Sequence, residues 1–414
     1  MKRTLIVFVV ILVILTIFLW PKVVKTKLAD TRYWSFQSID TMKYSRDLAR
    51  EKLADENFDA TIERQVRFIA NTGATHVAIG TPYDEEFVPM IKRWVDMARK
   101  YKIKVWFRGN FSGWEGWFGY PKISREQHTE MLKKFILGHA DLFADGDFFS
   151  SCPECENGGN GDPRHNGDLV GHRQFLIAQS QATKLAFKQI NKNIGPVLHS
   201  MNGDVANLVM DKETTAKLGG LVVVDHYVET PDKLVADIRA LAKRSGGQVI
   251  LGEFGAPIPD IHKNFSEGDQ TVWIGEALNK LIDEKALVGL NYWTSFGGST
   301  RLWNDDGTAR QAVATLTSYF HPNQIRGSIS TSFGLPVVDA NVSFGHQTTL
   351  TDQSGGFVLP VSSKEKSGEI TVSSIFFKGT SVKTGTSDLT IVLKPVSVMK
   401  FFEYFLFLIQ NDTF

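Results

Sequence analysis

The chain has 414 residues, 43% hydrophobic and 22% charged, a balance that excludes wholesale disorder and fits about two to three domains. Its 46 Lys and Arg stand against 45 Asp and Glu, and a net charge of +1 leaves no basic footprint for nucleic acid. Two cysteines exclude a disulfide scaffold, so a large apolar core has to hold the fold together.

Lys2 and Arg3 precede an apolar run, Leu5 to Trp20, broken only by Thr16. A charged stretch followed by such a run reads as an export signal. As a helix it reaches roughly 24 Å, short of the ~30 Å hydrocarbon core unless Thr4, Pro21 and snorkelling lysines extend it. No small-residue cleavage site follows: the run ends in Phe18-Leu19-Trp20-Pro21, and the first alanine is Ala29. Residues 1–30 are therefore read as an uncleaved signal-anchor, with a cleaved signal as the alternative. The reading puts the protein on a membrane with its folded part outside the cytoplasm, periplasmic or extracellular. Lys22, Lys25 and Lys27 balance Lys2 and Arg3, so the positive-inside rule sets no orientation.

From residue 31 to about 320, short apolar runs alternate with helix-length amphipathic stretches. Strands are expected at Tyr33–Ile39, Thr75–Gly80, Lys104–Gly109, Gly146–Ser151, Pro196–Met201, Leu221–Tyr227, Gln248–Phe254 and Val288–Thr294. Helices are expected at Glu85–Tyr101, Arg125–Leu142, Leu169–Ile190, Asp232–Arg244 and Thr271–Glu284. Runs such as Val222-Val223-Val224 are apolar on both faces, as strands buried between a barrel core and helices must be. No G-x-G-x-x-G follows the first strand, so an α/β fold of the (β/α)8 TIM-barrel type over 31–322 is preferred to a doubly wound sheet.

Beyond His321-Pro322 the pattern changes to alternating runs at Gly327–Ser330, Ala340–Phe344, Gly356–Val361, Glu369–Ser373 and Asp388–Leu393. Closely spaced turn residues make 323–395 a small all-β sandwich. The stretches Gly334-Leu335-Pro336-Val337-Val338-Asp339-Ala340-Asn341-Val342 and Thr351-Asp352-Gln353-Ser354-Gly355-Gly356-Phe357 resemble the carboxypeptidase regulatory-like (transthyretin-like) module. That resemblance implies an accessory or spacer domain without catalytic residues. The tail, 396–414, is apolar and aromatic but carries Lys400 and Glu403. An extra strand and an interfacial segment are both open for it.

On a parallel barrel the functional side chains stand at the C-terminal ends of the strands. At the seventh, Val249-Ile250-Leu251-Gly252 runs into Glu253-Phe254-Gly255; at the fourth, Phe148-Phe149-Ser150-Ser151-Cys152-Pro153 runs into Glu154-Cys155-Glu156-Asn157. Two carboxyl groups across a barrel mouth are what a glycosidic bond needs, one to protonate the leaving oxygen and one to act at the anomeric carbon. The arrangement resembles glycoside hydrolase clan A, the retaining (β/α)8 enzymes that include the family 5 cellulases and mannanases. The resemblance implies Glu253 as nucleophile, Glu154 as acid/base, Trp293 of Asn291-Tyr292-Trp293 as sugar platform, and Tyr227 or His226 as hydrogen-bond partner of the nucleophile. Arg301-Leu302-Trp303-Asn304-Asp305-Asp306-Gly307-Thr308 is similar to the segment that follows strand eight in that clan. The fourth strand departs from the clan: Glu154 follows Pro153, where an Asn that bonds the sugar 2-hydroxyl is usual. Asn157 is the candidate substitute. Alternation puts Glu156 on the same side as Glu154, so it stays the alternative acid, behind Glu154 because it lies farther from the strand end.

Arg108 and Asn110 at strand three and Asn202 after strand five are further candidates for sugar hydroxyls. Trp114, Trp117 and Phe118 form either an aromatic subsite wall or a loop packed on the barrel. Cys152-Pro153-Glu154-Cys155 allows three readings: a structural disulfide or inert thiols, a zinc site completed by His165 and His172, or a redox dithiol. The first is preferred, because an exported barrel is no thioredoxin-like setting and the spacing is no zinc-finger pattern. The sequence thus points to a membrane-anchored retaining glycosidase that cleaves a β-linked poly- or oligosaccharide with no cofactor. A non-catalytic carbohydrate-binding barrel and a metal- or thiol-dependent protein are the rivals.

Overall fold

A computed structural model describes residues 32–345, 347–361, 368–384 and 388–410. The expected anchor at 1–30 lies outside them, and no helix among the described residues is long and apolar enough to cross a membrane. The described chain divides into two compact units, one spanning Tyr33–His321 and the other beginning at Pro322.

The first unit is a parallel barrel. Its strands are β1 (Phe36–Asp40), β2 (His76–Ile79), β3 (Lys104–Phe107), β4 (Phe148–Ser150), β5 (Val197–Leu198), β6 (Ser200–Asn202), β7 (Leu221–Asp225), β8 (Gln248–Phe254) and β9 (Leu287–Tyr292). They pair in the order β5-β4-β3-β2-β1-β9-β8-β7-β6. β5 and β6 are halves of one expected strand, interrupted at His199, so the sheet comes back on itself and the eight-strand pattern nearly closes. The seventh expected strand is therefore β8.

Alternation divides the strand residues between two cores. Phe36, Ala78, Trp106, Leu198, Val223 and Ile250 pack against one another inside the barrel. Val77, Ile79, Val105, Phe107, Val222, Val224, Val249 and Leu251 face the helices. Both faces are apolar, as a parallel sheet covered by helices requires. The helices start where their sequences supply caps: Ser124 and Ser266 form capping boxes at Arg125–Gly138 and Glu267–Leu281, and Thr230 caps Pro231–Ser245.

The second unit has a three-stranded sheet and a four-stranded sheet around one apolar core. Two strands were not expected, Gln347–Leu350 and Thr380–Lys383. They are the two edges of the four-stranded sheet, and their polar residues keep those edges wet. The tail is not an extra strand but holds a helix, Val398–Gln410. Tyr404 and Leu408 bury against the sandwich core, and the Tyr404 hydroxyl donates to Pro336 O (2.6 Å) and accepts from the Val338 N–H (2.8 Å).

Candidate active site

Two residues beyond the inner apolar cluster, the same alternation brings polar groups to the barrel mouth: Ser38 and Asp40 after Phe36, Arg108 after Trp106, Ser200 after Leu198, Asp225 after Val223. Arg108 stands at the centre, its guanidinium 5.0 Å from the Trp106 ring centroid. Nη1 donates to Asp40 Oδ2 and Glu253 Oε1, both at 2.7 Å, and Nη2 donates to Asp225 Oδ2 (3.0 Å) and Ser200 Oγ (3.3 Å). Arg108 is 1% exposed. Burial works against its charge, but Asp225, Glu253 and Asp40 outweigh it and hold the group firmly protonated. For Asp40 and Asp225 burial dominates and raises both pKa values despite Arg108; Asp225 goes furthest, and its Oδ1 has no partner. Three carboxyl groups around one cation cannot all ionise cheaply in a dry site.

Strict alternation along β8 would turn Glu253 away from this cluster, because Ile250 and Gly252 already face inward. The register with β7 shifts by one residue there: Val224 pairs with Leu251, and Asp225 pairs with Glu253. This bulge restarts the alternation and turns Glu253 into the barrel. Glycine at 252 makes the bulge possible, since a Cβ there would lie 2.3 Å from Asp225 Oδ1 and 3.0 Å from Val223 Cγ1. Gly252→Ala is expected to lower barrel stability by about 1–3 kcal/mol. Thermal unfolding followed by tryptophan fluorescence checks this, and an unchanged midpoint overturns the crowding argument.

Both oxygens of Glu253 accept hydrogen bonds, Oε1 from Arg108 and Oε2 from the Tyr227 hydroxyl (2.6 Å). Burial and the neighbouring Glu253 charge push the Tyr227 pKa up, so the phenol keeps its proton and remains a donor. The carboxyl plane is thus fixed by two donors.

Glu154 sits in the loop behind β4 with left-handed backbone (φ 44), uncommon for a residue with a Cβ. Its N–H donates to Ser200 O (2.7 Å), and its C=O accepts from the Asn157 N–H (2.9 Å). Cys152 and Cys155 flank it and form a disulfide, which ties up both sulfurs of the C-x-x-C. Burial, then the charge of Glu253, raise the Glu154 pKa to about 7 against the opposing pull of Arg108. Glu156, the alternative acid, is buried as well: its Oε1 accepts from the Asn202 N–H (2.7 Å) and from Asn202 Nδ2 (3.1 Å), its Oε2 has no partner among the described residues, and burial raises its pKa.

The other expected residues divide. Trp293 is half-buried, its ring 6.1 Å from that of Tyr227, and its Nε1 has no partner. Asn157 is exposed at the rim. His226 turns away from the Glu253 carboxyl: its Nε2 meets Asp237 Oδ2 at 2.9 Å, and only its backbone N–H reaches Glu253 O. Trp114 is no open subsite wall but core, 3% exposed, stacked on Phe175 and bonded from Nε1 to Cys155 O (3.2 Å), where it props the Glu154 loop. Arg108 and Asn110 are buried side chains occupied by protein partners rather than rim groups awaiting sugar hydroxyls, and Asn202 is taken by Glu156. His165 and His172 do not join the cysteines, and among the described residues no cluster of His, Cys, Asp or Glu is set to hold a metal ion.

Three residues were missed, Asp225 on Arg108 among them. Asp40 ends β1 just as Glu253 stands at the end of β8, and a scan of every strand end would have found it. Glu115, beside Trp114, has its pKa raised by burial to about 8 and gave no signal beyond a carboxyl group among aromatics.

No family model matches the chain, and no curated protein does. Among solved structures it is similar to a β-glycosidase, with TM-score 0.45 and 13% identity over 70% of this chain and 95% of that one. It is also similar to a β-D-glucuronidase of Dictyoglomus thermophilum (TM-score 0.47, 16% identity, 70% of this chain and 51% of that one). A β-glucuronidase of Parabacteroides merdae gives TM-score 0.43 and 12% identity over 81% of this chain and 46% of that one. The chain thus spans about half the length of these two glucuronidase chains.

Proposed function

We propose that the chain is a retaining glycoside hydrolase acting on a β-linked glycan. One contrast carries the reading: two carboxyl groups share a barrel mouth but differ in environment. Glu253 is gripped by Arg108 and Tyr227, whereas no side chain among the described residues donates a hydrogen bond to Glu154, which is raised to about 7. Environments that push two carboxyl groups apart assign acid and nucleophile. Glu253 attacks the anomeric carbon as the bond to the leaving oxygen breaks, and Glu154 gives that oxygen its proton. Glu154 then takes a proton from water, whose oxygen attacks the same carbon and frees Glu253. Trp293, whose ring stands 6.1 Å from that of Tyr227, is the sugar platform in this scheme.

Glu154 has to start protonated, so kcat/KM is expected to fall as pH rises through about 7. Glu154→Gln removes that limb. It also lowers cleavage of natural glycans by roughly 10²–10⁴-fold, while activated aryl glycosides still load the enzyme. A screen over β-glucans, mannans, galactans, peptidoglycan-type glycans and aryl β-glycosides tests this. Binding without turnover would make the barrel a carbohydrate-binding one.

The run Leu5–Trp20 supports a membrane anchor that holds this activity outside the cytoplasm, with the second unit, in its resemblance to the transthyretin-like module, as spacer. The protein is then expected in the membrane fraction with residues 1–30 retained. Mass spectrometry that finds an N-terminus near Asp30 overturns the anchor.

A further inference from the structure

The helix Val398–Gln410 of the second unit is apolar on two sides. One side is spent in the sandwich. Tyr404 and Leu408 are buried there, and the Phe376 ring lies 5.3 Å from that of Tyr404 and 5.7 Å from that of Phe407. At about 100° per residue, the opposite side carries Val398, Met399, Phe402, Leu406 and Ile409. All five are exposed, from 47% at Ile409 to 74% at Val398. Two more large apolar residues extend this face beyond the helix. Phe333, its ring 5.5 Å from that of Phe401, is 74% exposed, and Ile375, beside Phe376, is 77% exposed. Single apolar residues in water are ordinary, but a contiguous face of them marks a contact surface. Cations stand where the helix begins. The Lys378 N–H donates to Lys394 O (2.9 Å) and the Val396 N–H to Phe376 O (3.0 Å), which sets both lysines near the exposed Val396 and Val398. Both lysines are exposed, and neither has an ion-pair partner among the described residues.

We propose that this face is a membrane-surface contact: Met399, Phe402, Leu406 and their neighbours enter the boundary between headgroups and acyl chains, and Lys378 and Lys394 meet anionic headgroups. Charge complementarity favours a bilayer over a second copy of the chain. An anionic leaflet supplies the counter-charge that the two lysines lack, whereas a two-fold contact would bring the same cations to both sides. The apolar run Leu5–Trp20 adds a means of delivery, and that argument rests on the anchor reading above. The helix has no need to span. About 20 Å long, it lies flat, and the sandwich covers the inner side that a lone interfacial helix would turn to water.

One label decides what covers this face. Cys152 and Cys155 are joined in a disulfide and no cysteine is free, so a single introduced cysteine is labelled alone. Leu406→Cys in the full chain takes an environment-sensitive fluorophore, and the chain is reconstituted into vesicles of phosphatidylcholine and phosphatidylserine. Quenching by nitroxides on the lipid acyl chains is expected, with protection from iodide in the water. Quenching by iodide instead would put the face in solvent, and protection from both would give it to a second copy or to residues 1–31; either result overturns the proposal. Lys378→Gln with Lys394→Gln should move the balance from lipid-quenched to iodide-quenched label by roughly 30-fold, the scale of two cations at an anionic surface. The shift should be far smaller in phosphatidylcholine alone. An equal shift in both lipids, or none in either, overturns the contact with anionic headgroups. Failure of the anchor reading would show elsewhere, as an N-terminus near Asp30, and the label would still meet acyl chains in vesicles added from outside.

Discussion

Glu253→Ala is expected to lower hydrolysis of natural and activated glycosides alike by roughly 10⁴–10⁶-fold, the scale of losing a nucleophile. The variant should stay folded, since Arg108 keeps Asp40 and Asp225 as partners. It vacates a small space lined by two donors, Arg108 Nη1 and the Tyr227 hydroxyl. Azide or formate fits that description: small, anionic, and able to accept from both. Either ion would attack the anomeric carbon from the side on which Glu253 stood, in one displacement instead of two. Turnover of an aryl β-glycoside should therefore return with added azide, and the product should be the α-glycosyl azide. Retained activity in Glu253→Ala, or a rescued product of unchanged configuration, overturns the role given to Glu253.

Much of this was legible in the sequence for reasons that can be named. All eight barrel strands were, because a strand covered on both faces reads as an apolar run whatever its neighbours. Glu253 was, because Leu251-Gly252-Glu253-Phe254-Gly255 sets a carboxyl group where a strand opens into the mouth. What stayed hidden depended on partners distant in the chain. The bulge at Gly252 exists only in pairing with the neighbouring strands, where the register shifts against both β7 and β9. Trp114 reads alike whether its ring meets a sugar or Phe175, and only the packed helix Leu169–Gln189 decides for Phe175. Hydrogen bonds that end at Glu115 join Asn110, His128 and Gln179 from three separate elements, and no spacing rule links them. The tail was hidden by ambiguity instead: an apolar, aromatic run with two charges suits several settings, and Tyr404 becomes a core residue only once the sandwich exists to receive its hydroxyl.

Arg108→Met is expected to cost the barrel about 3–5 kcal/mol at neutral pH, the scale of removing one partner from a buried ion cluster. The side chain is nearly isosteric in its stem, so lost volume explains little. The cost comes from Asp40, Asp225 and Glu253, which stay in the dry mouth without their cation. Its pH dependence has a definite sign. Asp40 and Asp225 already titrate above the ordinary carboxylate range with Arg108 opposing that rise, and without it they go higher. A carboxyl group whose folded pKa exceeds its unfolded value prefers to be folded when protonated. Stability is then highest below the unfolded value near 3.9 and falls as pH rises toward the folded value. The deficit of Arg108→Met relative to the wild-type chain should therefore shrink on acidification and be largest near neutrality. Urea unfolding at several pH values measures it, and tryptophan fluorescence isolates the barrel, because every tryptophan except Trp20 lies between Tyr33 and His321. Arg108→Lys separates charge from shape: an ammonium can neutralise one carboxylate but lacks the planar fork that reaches β1, β7 and β8 together. Its stability should fall between the other two. An Arg108→Met chain as stable as wild type at neutral pH would mean that the three carboxyl groups are held by something other than this guanidinium.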